Sequence, residues 1–416
     1  MEKVAEPPAP EEVAEPSADG LDEEHRTTPV ELLWDLVYVF AVTQVTTLIS
    51  RNLSWGGFGR GMLVLALMWW AWSAFVWAAN AESAGSPVLR LCLLAATVLI
   101  FIAGLAVPHA FGNEGTVFAV TYAAVRFLHL ALYADASRKG NASWTAISGF
   151  AVTVAIGMVL LIVGSFTTGG LRIGLWAIAL VIDYAGPAWL TRERLRGLQR
   201  VAVAHFAERY SLFVIICLGE SIVAIGVAAT GAGRHLSAEL ILAVTLSLLI
   251  TIGMWWTYFD RFAAVAEARL RGHDDPVLAA SDAYSYVHVL IVAGIITFAV
   301  GVRDLVRVLS SPLYGPARLA FCAGLALYLL GHVAFRLRLT NEVGYEKVVV
   351  SAALLLLYVL GGSLPAWAIA ATVTALMAAL CAIETALDGA ARRFAQPAPG
   401  KDAGTEERVP SPSRLT

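Results

Sequence analysis

Apolar runs close to 20 residues long, divided by short polar gaps, fill the chain from residue 30 to residue 387. A helix needs about 20 apolar residues to cross the hydrocarbon of a bilayer, so each run is the length of one span. Twelve are counted: 30–50, 60–80, 88–109, 116–136, 144–166 and 170–190, then 205–229, 238–262, 283–306, 315–339, 345–363 and 365–387. The pattern predicts an all-α polytopic membrane protein. Its least certain breaks are Thr167–Gly170 and Gly361–Pro365, where two spans could be one interrupted segment.

The spacing also suggests a tandem repeat of six plus six helices. The run opening at Glu31 resembles the run opening at Glu208, each with an acid at the entry and a polar pair further in, Thr43-Gln44 or Glu220-Ser221. The spans that follow share Met68-Trp69-Trp70 and Met254-Trp255-Trp256, and both halves close with a Gly-rich hairpin. Six is even, so the two copies are expected to run parallel, related by an axis along the membrane normal. The domains are then an arm (1–29), a first six-helix repeat (30–190), a basic linker (191–204), a second repeat (205–387) and a tail (388–416).

Composition strengthens the membrane reading. Hydrophobic residues make up 58% of the chain and charged residues 15%, where a soluble domain has about 25% charged. The arm sets Pro7, Pro8, Pro10 and Pro16 among acids and cannot bury apolar surface, so disorder is expected there and in the tail. The arm also lacks the basic start and apolar core of a cleavable signal. Of the 29 Lys and Arg, 20 fall on the side shared with both termini and 7 opposite, while Arg126 and Arg209 lie within spans. Positive charge marks the cytoplasmic side, which predicts an inner-membrane protein with both termini in the cytoplasm. Arg192, Arg194, Arg196 and Arg200 in the linker are its strongest anchor. They read as a topology signal and lipid contact, not as a nucleic-acid site.

Chemistry enters with the ionisable residues inside apolar runs, each of which needs a partner, water or neutralisation. Glu31 and Asp35 are one helical turn apart on a single face. Glu208, Arg209 and Glu220 share the seventh run; Arg209 and Glu220 are about 16 Å apart along the axis and cannot pair with each other. Partners are sought in Arg126 and His129 of the fourth run and Asp183 of the sixth. Glu220, Glu208, Arg209 and Arg126 are the candidates for ion binding or coupling, and Glu31, Asp35, Asp260 and His288 for a cytoplasmic vestibule. The plainer alternative is a Glu220–Arg126 pair that only fixes packing. No metal-ligand spacing, phosphate loop, nucleophile elbow or paired Cys-x-x-Cys occurs, so no cofactor, metal or catalytic residue is expected. Cys92, Cys217, Cys322 and Cys381 each stand alone in apolar runs.

In Glu31-Leu32-Leu33-Trp34-Asp35-Leu36-Val37 with Gln44, in Ala207-Glu208-Arg209 leading to Gly219-Glu220-Ser221, in Trp255-Trp256-Thr257-Tyr258-Phe259-Asp260, and in Tyr286-Val287-His288 with Ala293-Gly294, the chain resembles the bacterial low temperature requirement A family. Trp34 stands where that family's acidic opening is expected to carry Phe. The resemblance implies a multi-pass inner-membrane protein associated with growth in the cold, and no established catalytic residue. Together with the buried charges it leads to a proton- or cation-coupled secondary transporter with an unidentified small-molecule substrate. The alternatives are an intramembrane or lipid-handling enzyme of envelope cold adaptation, or a membrane scaffold or sensor that transports nothing. The expected partners are the lipid bilayer and protons or cations.

Overall fold

Each apolar run becomes a helix because a backbone in hydrocarbon must satisfy its own N–H and C=O groups. The computed structural model describes residues 27–81, 86–138, 144–186, 202–231 and 235–395. The linker arginines Arg192, Arg194, Arg196 and Arg200, nearly all of the N-terminal arm and residues 396–416 lie outside the described residues. The first half comprises α1 (Pro29–Arg51), α2 (Trp55–Ala81), α3 (Pro87–Ala106), α4 (Gly115–Arg138), α5 (Trp144–Ser165) and α6 (Gly169–Ala185). The second comprises α7 (Val203–Thr230), α8 (Ala238–Phe259), a short α9 (Phe262–Arg271), α10 (Pro276–Arg307), α11 (Gly315–Thr340), α12 (Tyr345–Leu360) and α13 (Ala366–Ala395). Among the described residues there is no strand, only an isolated bridge between Pro312 and Pro365.

Eleven of these helices are long and apolar enough to cross a membrane. The sixth expected run is helical over the 17 residues of α6 and then leaves the described residues, so twelve crossings are not shown. Both uncertain breaks are real turns. Gly169 opens α6 with φ at +61°, a conformation that only glycine takes readily, and Gly361–Ser363 forms a 3-10 turn before α13. Three boundaries move: the span expected at 60–80 starts at Trp55, α13 continues through residues expected to belong to the tail, and the span expected at 283–306 starts at Pro276. Residues Ala280–Val287 of α10 are wound as a π-helix.

Large apolar side chains face outward along several helices, among them Leu91, Val98 and Leu105 on α3 and Val152 and Val159 on α5. Water would penalise that surface, and lipid accepts it. Within the first half α1 packs on α2 and α3, α2 on α6, and α3 to α6 pack in sequence. Within the second, α7 packs on α8 and α10, α8 on α13, and α10 to α13 pack in sequence. The halves meet where α1 and α2 face α7 and α10.

The α10–α11 contact is set by glycines. A Cβ on Gly294 would sit 2.4 Å from the Tyr328 nitrogen, and one on Gly301 2.3 Å from that of Phe321. Gly324 meets Phe298 and Gly331 meets Ile291 in the same way, so each helix presents small residues seven apart to the other's backbone. Such seams let helices approach closely in lipid, where packing replaces the hydrophobic drive. Gly294→Val should therefore lower stability by about 1–3 kcal/mol or more, as overpacking does. Thermal unfolding in detergent checks this, with Gly174→Val, where a Cβ meets nothing, as the neutral control.

Candidate functional site

Among the described residues, four of the eight buried Asp, Glu, Lys and Arg side chains, Glu31, Asp35, Arg209 and Glu220, lie at the inter-half contact. Thr28 precedes α1, and its backbone N–H and hydroxyl both donate to the Glu31 carboxylate at 2.8 Å, which fixes Glu31 at the helix start. One turn on, Asp35 faces the same side. Arg209 enters from α7 and is fully buried. Its Nε and Nη2 donate to the two Asp35 oxygens at 3.0 and 2.7 Å, and its Nη1 donates to Glu31 at 2.6 Å. Trp72 of α2 donates its indole N–H to Asp35 at 2.8 Å. His205, a turn before Arg209, places Nε2 3.3 Å from Glu31. Two carboxylates thus face one guanidinium and an imidazole.

A layer of rings and hydroxyls continues from this cluster toward α10. Trp72 lies 5.1 Å from Trp69, whose ring stacks parallel to His288 at 6.0 Å. The π-wound stretch presents Ser285, whose carbonyl accepts from Trp69 Nε1 at 2.7 Å. Its hydroxyl takes Trp77 Nε1 at 2.8 Å and Ser73 at 3.0 Å, and lies 3.2 Å from the Tyr210 hydroxyl. Irregular windings of this kind often accompany functional sites. His288 is fully buried with Nε2 3.3 Å from the Tyr258 hydroxyl, and its Nδ1 has no hydrogen-bond partner among the described residues.

Glu220 lies deeper on α7, in a different setting. It is 7% exposed, and its carboxylate accepts from the Thr43 hydroxyl of α1 at 2.7 Å. Among the described residues no cation lies within ion-pair distance of it; Arg303 on α10 is the cation whose field reaches it. The buried Thr46 hydroxyl also faces the Glu220 carboxylate, and the buried Ser221 hydroxyl has no hydrogen-bond partner among the described residues.

The Glu220–Arg126 pair, the plainer alternative, does not form. Arg126 instead meets Asp183 at 2.7 Å, both fully buried, and joins α4 to α6 within the first half. His129 lies 3.4 Å from the same guanidinium. Of the expected vestibule, Glu31 and Asp35 come together on Arg209, and His288 sits behind the tryptophans. Asp260 is exposed at the end of α8 and makes no hydrogen bond or ion pair with them. Glu208 is also exposed and accepts from Thr27 at 2.9 Å. Trp72, His205 and Ser285 are not among the candidates expected from the sequence. His205 had a signal, since its four-residue offset from Arg209 repeats that of Glu31 and Asp35; Trp72 and Ser285 had none. Among the described residues no group of three or more His, Cys, Asp or Glu is placed to hold a metal.

The model of the bacterial low temperature requirement A protein (LtrA) family matches residues 26–382. The chain belongs to the LtrA family. A protein of Rhizobium meliloti (strain 1021), described as uncharacterized, is 32% identical over 282 residues, covering 65% of this chain and 67% of its own length. No solved structure matches. All the clustered residues above lie inside the LtrA match, from Thr28 to His288.

Removing one member of a buried ion pair strands the other and typically costs about 3–5 kcal/mol. Asp35→Ala should therefore destabilise this LtrA protein by about that much, measured by thermal or denaturant unfolding in detergent. The double variant Asp35→Leu with Arg209→Met should cost less than the sum of the two single changes, as expected for directly coupled partners.

Proposed function

We propose that this LtrA-family protein is a proton- or cation-coupled secondary transporter in which Glu220 is the coupling carboxylate. The observation that carries the reading is the contrast between Glu220 and the other buried acids, Glu31, Asp35 and Asp183, each of which pairs with an arginine. Arg209 and Arg126 are each neutralised by acids within hydrogen-bond distance. Glu220 instead rests on the hydroxyls of Thr43 and Thr46 at the α1–α7 contact. A carboxylate held by neutral hydroxyls can take up and release a proton or a small cation without breaking an ion pair, because hydroxyls both donate and accept. Arg209 and Arg126 act in this reading as locks that hold the helices, and the Glu31–Asp35–His205 group as a charged gate at the end of the bundle where α1 begins.

The architecture fits the same reading. The order of helix contacts in α1 to α6 recurs when these helices are laid in turn on α7, α8, α10, α11, α12 and α13, with α9 as an insertion. The side chains echo it: Tyr122 of α4 donates to the Leu67 carbonyl of α2 at 2.7 Å, and Tyr328 of α11 donates to the Met254 carbonyl of α8 at 2.6 Å. Both support two parallel six-helix repeats with the site between them, where such transporters bind their ions. The Lys and Arg distribution supports an inner-membrane protein with both termini cytoplasmic.

The test is flux into sealed proteoliposomes loaded with a pH dye, under imposed K⁺, Na⁺ and proton gradients in turn. The parent protein should move protons or one of the cations. Glu220→Gln should abolish that flux while remaining monodisperse, and Glu220→Asp should retain part of it. A parent protein that moves nothing under any gradient would remove ion coupling from the reading.

A further inference from the structure

A cavity of about 340 Å³ lies apart from the inter-half site, between α9, α11, α12 and α13, at the end of the bundle where α1 begins. That volume falls in the range of small-ligand sites. Its mouth is charged. Arg261 and Arg269 come from the α9 segment, Arg336 from the end of α11 and Lys347 from the start of α12. Three carboxylates face them: Glu342 accepts from Arg336 at 2.7 Å, Glu346 lies 3.9 Å from the same guanidinium, and Glu384 binds Lys347. The neighbouring Arg336 also holds the Glu342 carboxyl below its ordinary range, so it is ionised at neutral pH. With four cations against three acids, the lining is one positive charge in excess.

The inner wall holds an unused acceptor. His332 is 1% exposed, and its Nδ1 lies 2.8 Å from the Tyr328 carbonyl, which can only accept. The ring hydrogen is therefore on Nδ1 and Nε2 carries a lone pair, which has no partner among the described residues. A buried polar atom of this kind calls for a donor. Around it the wall is apolar, with the Phe262 ring tilted against the imidazole at 4.4 Å. At the rim Val265 and Leu387 expose their side chains on the outward surface of the bundle. A ligand that fits has one negative charge for the arginine mouth, a hydroxyl to donate inward, and tolerance of an apolar edge.

We infer that this cavity binds a phosphodiester monoanion that carries a hydroxyl, the chemistry of a glycerol-bearing phospholipid headgroup or of its soluble diester. Arg269 and Arg336 take the phosphate oxygens, since guanidinium forks match that group, and His332 Nε2 accepts the hydroxyl. The site is independent of transport, because none of these residues takes part in the Glu220 setting.

The test is native mass spectrometry of the full chain in nanodiscs of phosphatidylglycerol and phosphatidylcholine mixed equally, alongside calorimetric titration with soluble glycerophosphoglycerol. Arg269→Gln and His332→Ala are compared with the parent after thermal unfolding has established that each is folded; Arg269 is exposed, so its variant has no packing to lose. Preferential retention of phosphatidylglycerol, weakened about tenfold by either change, is expected from the loss of one charge-assisted or buried hydrogen bond. Binding of the soluble diester with the same dependence, without lipid preference, would establish the site with a soluble ligand. The inference is overturned if neither lipid nor diester binds selectively, or if binding is equal in the parent and in Arg269→Gln.

Discussion

A guanidinium buried in a helical membrane bundle has to be met by acids at hydrogen-bond distance, and Arg209 is met by two. Its fork on Asp35 requires the starts of α1 and α7 to lie side by side at one depth, and its third contact ties Glu31 to the same point. Trp72 brings α2 to Asp35, and Tyr210, the next residue after Arg209, brings α7 to Ser285 on α10. Four helices from both halves are thus positioned by one side chain and its neighbours. A looser arrangement would leave a charge unpaired in a medium of low polarity, at a cost well above ordinary packing terms.

Along α7 the chemistry changes with depth. Near the helix start the buried Arg209 is met by two carboxylates. Further in, Glu220 has only hydroxyls for company and a distant guanidinium on α10. A helix that carries a tightly paired cation at one level and an acid on neutral groups at the next joins a fixed contact to an adjustable one. The first keeps the halves in register, and the second is the one that the proposed coupling would use.

The sequence made the helices legible because a bilayer imposes a length and a polarity on every span. The hairpins at Gly169 and Gly361 were readable from glycine content, and the shared face of Glu31 and Asp35 from their spacing. Partnerships across helices were not. Arg209 and Asp35 are 174 residues apart, and helical periodicity gives the face of a side chain without saying which neighbour that face meets. Arg126 was therefore sought at Glu220 and found on Asp183, two helices along in its own half. Asp260 shared an expected depth with the cluster but points outward, since depth does not fix direction around the axis. The π-wound stretch before His288 has no signature in residue type; it follows from packing, and with it comes the Ser285 hub.

The glycine seam between α10 and α11 limits how this molecule can change shape. Where one backbone touches another directly, there is no side chain to swing or repack, and sliding by even a fraction of a turn drives a neighbour's Cβ into the main chain. The two helices are joined as a single strut. Arg303, Ser285 and His288 all ride on that strut, so any rearrangement around Glu220 has to carry them together against α1 and α2 as one lever arm.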